Sequence, residues 1–173
     1  FDDKHTELIS QAKEIKIADL LGRKPIEFDK KEIKELVTGK ICMVTGGGGS
    51  IGSELVRQIS KYSPKQVIIV DIYENNAYDI QQELVLEYGN KLNLVTLISS
   101  VRDYDKMELI FKTYRPQLVF HAAAHKHVPL METVPEEAVK NNIFGTFNVA
   151  TLAEKYKADK FVMISTDKAV NPT

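Results

Sequence analysis

Thr45-Gly46-Gly47-Gly48-Gly49-Ser50-Ile51-Gly52 is the stretch that decides the fold of this 173-residue chain. It follows the apolar run 41–44, which is typical of a buried strand, and it precedes the amphipathic segment 53–59, which is typical of a helix. A strand, a glycine-rich turn and a helix in this order form a cradle for phosphate groups. Bare backbone lets a pyrophosphate approach, and the helix N-terminus offers N–H groups and positive potential.

The ligand is indicated by an acidic residue that follows the glycines. Their spacing is Gly46-x-x-Gly49-x-x-Gly52, one residue wider at the front than the common G-x-G-x-x-G motif. A second apolar run, 67–70, ends in Asp71, about twenty residues past the glycines. An acid there accepts hydrogen bonds from the ribose hydroxyls of adenosine and repels a 2′-phosphate, which favours NAD over NADP. The predicted cofactor contacts of the turn are Gly46, Gly49, Ser50, Ile51 and Gly52.

The rest of the chain alternates between apolar runs and amphipathic segments. Strands are predicted near residues 40–45, 66–71, 92–98, 117–122 and 160–165. Helices are predicted near residues 51–62, 74–88, 104–114 and 134–157. Because near-continuous apolar strands separated by helices imply a parallel sheet covered on both faces, we predict an α/β fold. Right-handed crossovers give a doubly wound Rossmann sheet of order 3-2-1-4-5, with the ligand at the carboxyl ends of strands 1 and 4.

Composition excludes several classes of protein. The net charge of −1 gives no general attraction for nucleic acid or for a membrane surface. The single cysteine, Cys42, cannot form an internal disulfide, which fits a reducing compartment, and we predict a cytoplasmic location. No apolar run approaches the ~20 residues of a membrane span, so we expect no direct membrane contact by this chain.

Residues 1–39 differ from the rest. They are charged, helix-prone from Glu7 to Leu21, and interrupted by Gly22 and Pro25. We predict an N-terminal helical linker segment over residues 1–39 and an NAD-binding Rossmann domain over residues 40–173. The charged run 30–35 is interpreted as the solvated face of a helix.

Several motifs together resemble a known family. The glycine turn, Asp71 and three further motifs are similar to the extended short-chain dehydrogenase/reductases. These three are Val101-Arg102-Asp103, His121-Ala122-Ala123-Ala124 and Asn142-x-x-Gly145-Thr146-x-Asn148. More specifically, residues 125–132 and 165–172 resemble the UDP-N-acetylglucosamine 4,6-dehydratases of bacterial capsule, O-antigen and protein-glycan synthesis. Residues 17–25 are similar to the linker in the large, membrane-anchored branch of these enzymes.

The resemblance implies roles on the cofactor side. The further contacts implied are Val101, Asp103, Ala122, Ala123, Ala124 and Asn142. Asp103 would bond the adenine amino group, although it is also suited to cap the helix that begins at Tyr104. The three alanines would let the cofactor lie against backbone, or they simply pack tightly. Asn142 lies in a helix, where asparagine is disfavoured, so we expect a partner to hold its amide.

The resemblance also implies catalytic roles just past the fifth strand. Thr166 would hold the C4 oxygen of the sugar, protonated Asp167 would be the acid, and neutral Lys168 would be the base. The better-known sugar 4,6-dehydratases have Glu where this chain has Lys168. The alternative interpretation is a capped strand–loop junction with a surface ion pair.

The histidines His121, His125 and His127 invite a metal interpretation, which we reject. His121 ends a strand and the other two follow in a loop, and no Cys or carboxylate lies at a familiar zinc spacing from them. We therefore predict no metal. Lys126 and His127 are predicted to contact the sugar nucleotide, with a solvated loop as the equal alternative.

Taken together, the resemblance implies an NAD-dependent enzyme that converts UDP-N-acetylglucosamine to a UDP-4-keto-6-deoxy sugar. The alternatives are a nucleotide-sugar 4-epimerase and a non-catalytic NAD-binding interaction module. We expect a homo-oligomeric parent anchored in the bacterial inner membrane, with this domain on the cytoplasmic side. The nicotinamide-side lysine helix and the sugar cap of the family are expected beyond Thr173, so the fragment alone is expected to be inactive.

Overall fold

A computed structural model of the chain describes residues 30–166. The strands are β1 Ile41–Thr45, β2 Gln66–Asp71, β3 Leu94–Ile98, β4 Leu118–His121 and β5 Lys160–Met163. The α-helices are α1 Lys30–Val37, α2 Ser50–Ser60, α3 Glu74–Tyr88, α4 Tyr104–Tyr114, α5 Val128–Thr133, α6 Pro135–Ala138 and α7 Thr146–Lys155. A 3₁₀ turn spans Gly89–Lys91 and a π-helix spans Val139–Gly145. The predicted helix from Glu7 to Leu21 lies outside the described residues, as do Asp167 and Lys168.

The five strands form one parallel sheet in the order β3-β2-β1-β4-β5. The doubly wound topology predicted from the sequence is therefore confirmed. In the register, Thr45 at the end of β1 lies opposite Val70 of β2 and His121 of β4. The carboxyl ends of β1, β2 and β4 consequently meet at one edge of the sheet, where open α/β sheets bind their ligands.

Alternate residues of the central strands point to opposite faces of the sheet, so the core has two halves. On one face, Met43 of β1 packs in a cluster with residues of α4 and α7, including Phe111 and Leu152. On the other face, Cys42 and Val44 pack in a cluster with residues of α1, α2 and α3. Both faces of the sheet are covered, which explains why β1 and β2 are apolar at every position over 42–44 and 67–70.

Helix α1 packs through one face only. Val37 is buried in the second core cluster, with Ile33 and Leu36 packed beside it, whereas Lys31, Glu32 and the other charged residues of the helix are largely exposed. Lys31 onward forms one compact unit with the sheet. The predicted linker segment over residues 1–39 lies outside the described residues up to residue 29.

The connection from β4 to β5 contains the helix predicted near residues 134–157 and one short helix that was not predicted. Residues 135–155 form one continuous helical run, in which α6 passes through the π-helix into α7, and α5 precedes it. Pro135 stands in the first turn of this run, and Pro129 stands in the first turn of α5. Val134 lies between α5 and α6 with φ −136° and ψ 65°, outside the helical region that a following proline disfavours.

Strand β5 forms an edge of the sheet among the described residues. Val162 and Met163 of this strand are apolar and are 39% and 51% exposed. Within residues 30–166, no helix is both long enough and apolar enough to cross a membrane.

Candidate functional site

The glycine turn is wound so tightly that side chains are excluded. Gly46 has φ +69°, and a Cβ there would lie 2.7 Å from the backbone of Ala122 and Ala123. A Cβ on Gly52 would lie 1.9 Å from the carbonyl oxygen of Gly46. The turn therefore packs directly on the segment that follows β4. Its bare backbone and the N-terminus of α2 line the clefts at this edge of the sheet.

We expect Gly52→Ala to lower the free energy of unfolding by about 1–3 kcal/mol, because the new methyl group forces backbone atoms apart. Gly49→Ala is the matched control, since its Cβ would meet the Gly46 carbonyl oxygen at 3.3 Å, a contact that a small shift relieves. Chemical denaturation measures both variants. Equal stability of the two would contradict the packing described for Gly52.

Asp71 ends β2 beside this turn and is 7% exposed. Its Oδ2 accepts a hydrogen bond from the Gly48 amide at 2.8 Å, and its Oδ1 accepts one from the Tyr73 amide at 2.9 Å. The carboxylate thus holds the glycine turn, a role that sequence reasoning missed. The hydrogen bond to Tyr73 could have been predicted from the sequence, because an Asp side chain often accepts a hydrogen bond from the backbone amide two residues later. A carboxylate has about four acceptor sites, so two remain for ribose hydroxyls.

Two neighbouring clefts lie along the carboxyl edge of the sheet. The smaller, of about 150 Å³, brings together Asp71, the glycine turn and the loop after β3. The predicted cofactor residues that line it are Gly46, Gly49, Asp71, Val101, Ala122, Ala123 and Ala124. The larger has a volume of about 660 Å³. Predicted site residues that line it are Gly49, Ser50, Ile51, Ala122, Ala123, Ala124, Lys126, Asn142 and Thr166.

Lys126 reaches across the larger cleft. Its Nζ lies 3.4 Å from Oγ of Ser50, which begins α2. A cation is thereby held at the helix N-terminus beside the glycine turn, an arrangement that suits a phosphate-bearing ligand. His127 is not among the residues that line these two clefts, and it occupies the N-cap position of α5 instead.

Asp103 caps α4, since its side chain accepts a hydrogen bond from the Lys106 amide at 3.0 Å. The capping role considered from the sequence is therefore observed. It is not among the residues that line the smaller cleft, so a bond to the adenine amino group stays a prediction.

Asn142 clamps the segment after β4. Its Oδ1 accepts from the His125 amide at 2.8 Å and its Nδ2 donates to the His125 carbonyl at 2.9 Å. This confirms that a partner holds the Asn142 amide. The π-helix that carries Asn142 is a geometry that recurs at functional sites.

A second asparagine, Asn148 of α7, holds the loop after β3. Asn148 Nδ2 lies 3.1 Å from the carbonyl oxygen of Val101 and 3.3 Å from that of Arg102. Sequence reasoning quoted Asn148 only as part of a motif and gave it no role. The spacing of Asn142 and Asn148 was the available signal, since both asparagines stand inside a helical pattern that disfavours them.

His121 is buried at the end of β4, where it is 3% exposed and stacks on Phe161. Its Nδ1 lies 2.7 Å from the Thr45 hydroxyl and its Nε2 lies 2.8 Å from the Thr146 hydroxyl. Burial lowers the pKa of the imidazole to about 4, so the ring is neutral at physiological pH. Among residues 30–166, no group of three or more His, Cys, Asp or Glu side chains is placed to hold a metal ion.

The buried histidine gives the chain an acid-sensitive fold. Because the pKa falls from about 6.5 unfolded to about 4 folded, the unfolded state binds more protons between these values. The stabilisation that comes from keeping His121 neutral is fully present above pH 6.5. As the pH falls below this value the free energy of unfolding decreases, by about 3 kcal/mol at pH 4. Denaturation of wild type and His121→Gln at pH 7.5 and pH 4.5 measures it, with the exposed His127→Gln as control. A wild-type pH dependence retained in His121→Gln would contradict the assignment.

Thr166 lines the larger cleft just past β5, beside Ile164 and Ser165. Of the three predicted catalytic residues, it alone lies within the described part of the chain. Its placement puts a hydroxyl in the same cleft as Lys126 and the glycine turn.

The geometry agrees with a comparison against protein families. A family model described as a polysaccharide biosynthesis protein matches residues 42–173. The chain belongs to this family. Two curated relatives are similar to almost the whole of this chain. The probable polysaccharide biosynthesis protein EpsC of Bacillus subtilis is 52% identical over 96% of this chain, and the capsular polysaccharide biosynthesis protein CapD of Staphylococcus aureus is 48% identical over 95%.

Another relative is named for a reaction. The UDP-N-acetylglucosamine 4,6-dehydratase (inverting) of Campylobacter jejuni is 32% identical over 79% of this chain and 39% of its own length. This chain spans 28% of EpsC and 28% of CapD.

Solved structures show the same fold. Pen from Bacillus thuringiensis is 34% identical with a TM-score of 0.70, covering 78% of this chain and 40% of its own. The UDP-glucose 4-epimerase of Thermotoga maritima, solved with UDP-glucose, is 31% identical with a TM-score of 0.62, over 75% of this chain and 38% of its own. An NAD complex of the Thermus thermophilus UDP-glucose 4-epimerase, 24% identical over 73% of this chain and 37% of its own, has a TM-score of 0.59. Proteins similar to this chain at more than 30% identity are thus named both as a dehydratase and as an epimerase.

Proposed function

We propose that the full-length protein is an NAD-dependent nucleotide-sugar 4,6-dehydratase that converts UDP-N-acetylglucosamine to a UDP-4-keto-6-deoxy sugar for polysaccharide or glycan synthesis. The observation that carries the proposal is the pair of adjoining clefts on one sheet edge. One has Asp71 and the glycine turn, and the other has Lys126 and Thr166. The first suits a dinucleotide, and the second is large enough for a sugar next to it.

The residues present fit NAD. Gly46 packs against the backbone of Ala122 and Ala123 with no side chain between them, so bare backbone of the glycine turn borders the smaller cleft, where a pyrophosphate could approach closely. Asp71 keeps acceptor sites for ribose hydroxyls, and the first residues of α2, Ser50 and Ile51, line the larger cleft, where the helix N-terminus would favour a pyrophosphate. When bound, NAD supplies the hydride acceptor for oxidation at C4 and the hydride donor for reduction at C6.

The chain's own residues account for the elimination that lies between those two redox steps. The Thr166 hydroxyl donates a hydrogen bond to the C4 oxygen. Lys168, as a neutral amine, takes the C5 proton that the C4 ketone acidifies, and the electron pair forms the C5–C6 double bond. The C6 hydroxyl leaves as water with the proton that Asp167 gives up. Lys126 and His127 are proposed to contact the sugar nucleotide.

The second candidate is a nucleotide-sugar 4-epimerase, which the similarity to the Thermotoga maritima epimerase favours. An epimerase shares the cofactor site and the oxidation at C4. It has no leaving hydroxyl to protonate, so the adjacent Asp167 and Lys168 favour the dehydratase.

Product analysis of the full-length protein with UDP-N-acetylglucosamine tests the proposal. A 4-keto-6-deoxy sugar nucleotide supports it, a C4 epimer supports the second candidate, and unchanged substrate with bound NAD supports a non-catalytic module. We further propose a cytoplasmic, homo-oligomeric enzyme anchored in the bacterial inner membrane. Gel filtration and membrane fractionation of the full-length protein test these two properties.

A further inference from the structure

His121 lies between two threonine hydroxyls that come from separate parts of the fold. Thr45 ends β1, His121 ends β4 and Thr146 begins α7. The two contacts, 2.7 Å and 2.8 Å, use both ring nitrogens. Because the ring is buried and neutral, one nitrogen carries a proton and donates, and the other accepts.

The buried Thr45 hydroxyl decides which nitrogen carries the proton. Thr45 is 0% exposed, and among the described residues its hydroxyl has no hydrogen-bond partner other than His121. Its hydrogen is satisfied only if it is donated to Nδ1, since a buried hydroxyl hydrogen without an acceptor is costly. Nε2 of His121 therefore carries the ring proton and donates it to the Thr146 oxygen.

The hydroxyl hydrogen of Thr146 can therefore donate a hydrogen bond to another acceptor. Its oxygen receives the bond from His121, and no second bond of this hydroxyl is found in the part of the chain that the structure describes. The carbonyl one helical turn back is the usual acceptor for a helical threonine, and Thr146 does not bond it. Thr146 is half-buried and lines the larger cleft, together with Lys126 and Thr166.

We propose that Thr146 is a ligand-binding residue whose hydroxyl donates a hydrogen bond to an acceptor oxygen of the molecule in the larger cleft, with His121 and Thr45 as the positioning residues that hold it in the donating orientation. The inference rests on the proposed function for the presence of a dinucleotide and a sugar nucleotide at this edge. Both carry acceptor oxygens, and the experiment distinguishes them.

The full-length protein is titrated with NAD and, in a separate experiment without added NAD, with UDP-N-acetylglucosamine. Thr146→Val keeps the shape of the side chain and removes the hydroxyl, so we expect it to weaken one of the two ligands by about 5- to 10-fold. Thr146→Ser is the matched control and is expected to retain the affinity. The ligand that weakens is the one whose oxygen Thr146 contacts.

A second variant tests the relay. Thr45 is not among the residues that line either cleft, yet Thr45→Val is expected to weaken the same ligand. Without the Thr45 donor, Nδ1 is free to carry the ring proton, and Thr146 then donates to Nε2 instead of to the ligand. Because both changes remove the same bond, Thr45→Val combined with Thr146→Val is expected to lose no more affinity than Thr146→Val alone.

Wild-type affinity of Thr146→Val for both ligands would overturn the binding role, and additive losses in the double variant would overturn the relay. A measurement that needs no substitution is the ¹⁵N NMR spectrum of His121, which we expect to show a proton on Nε2. A proton on Nδ1 would overturn the proposal even if the variants do not fold. Failure of the 4,6-dehydratase proposal shows separately, in the sugar product rather than in ligand affinity.

Discussion

The Asp167→Asn variant of the full-length protein is expected to bind NAD normally while its dehydration rate falls by about 10²–10⁴-fold, the usual contribution of a general acid. An amide cannot give up the proton that the departing C6 hydroxyl needs, whereas the proposed cofactor contacts of the glycine turn and Asp71 are unchanged. Steady-state rates of 4-keto-6-deoxy product formation, with NAD content measured on the same samples, test this. Asp159→Asn is a control, since Asp159 pairs with Lys40 on the surface.

A companion variant separates the two proton transfers. Lys168→Met is expected to abolish exchange of the C5 proton with solvent, because methionine has a similar length and no basic nitrogen. Uptake of deuterium at C5 is followed by NMR in D₂O. If Lys168→Met exchanges this proton as fast as wild type, Lys168 is not the base.

The Asp71→Ala variant is expected to weaken NAD binding by about 10- to 100-fold, since charge-assisted hydrogen bonds are among the stronger ones and the variant loses those to ribose. It also removes the acceptor that holds the Gly48 amide. NADP is expected to bind the wild-type protein poorly, because its 2′-phosphate is repelled by the Asp71 carboxylate. Its affinity is expected to fall less in the variant than the affinity for NAD does. The gap between the two cofactors therefore narrows.

Titration of wild type and variant with both cofactors measures these affinities. Asp79→Ala is the matched control, because Asp79 is an exposed residue on α3 and is not among the residues that line the two clefts. Equal affinities of wild type for NAD and NADP would remove Asp71 from the ribose site.

Local sequence signals were sufficient for most of the fold. Strand β2 is apolar at every position from Val67 to Val70 because both faces of the sheet are covered, and that pattern is visible in the sequence. The strand order followed from right-handed crossovers between such strands. Helix α5 was missed because its start depends on Pro129 in the first turn of a helix only six residues long, which is too short to show a period.

The contacts that hold the site together are between residues far apart in sequence, so a pattern along the chain does not show them. His121 bonds Thr45 and Thr146 across three elements, and Asn148 reaches the loop after β3. The sequence marked these residues as members of motifs, but their partners appear only after the strands pair in register. Asp71 was assigned to the ribose from its place after β2, whereas its hold on Gly48 depends on how the turn folds.

In the proposed dehydratase reaction, one bound cofactor carries hydride from C4 to C6 of the same sugar. The most direct test supplies the full-length protein with UDP-N-acetylglucosamine that carries deuterium at C4, and locates the label in the product by NMR. We expect a 4-keto-6-deoxy sugar with deuterium at C6. Deuterium found at C4 of an epimerised sugar would contradict it.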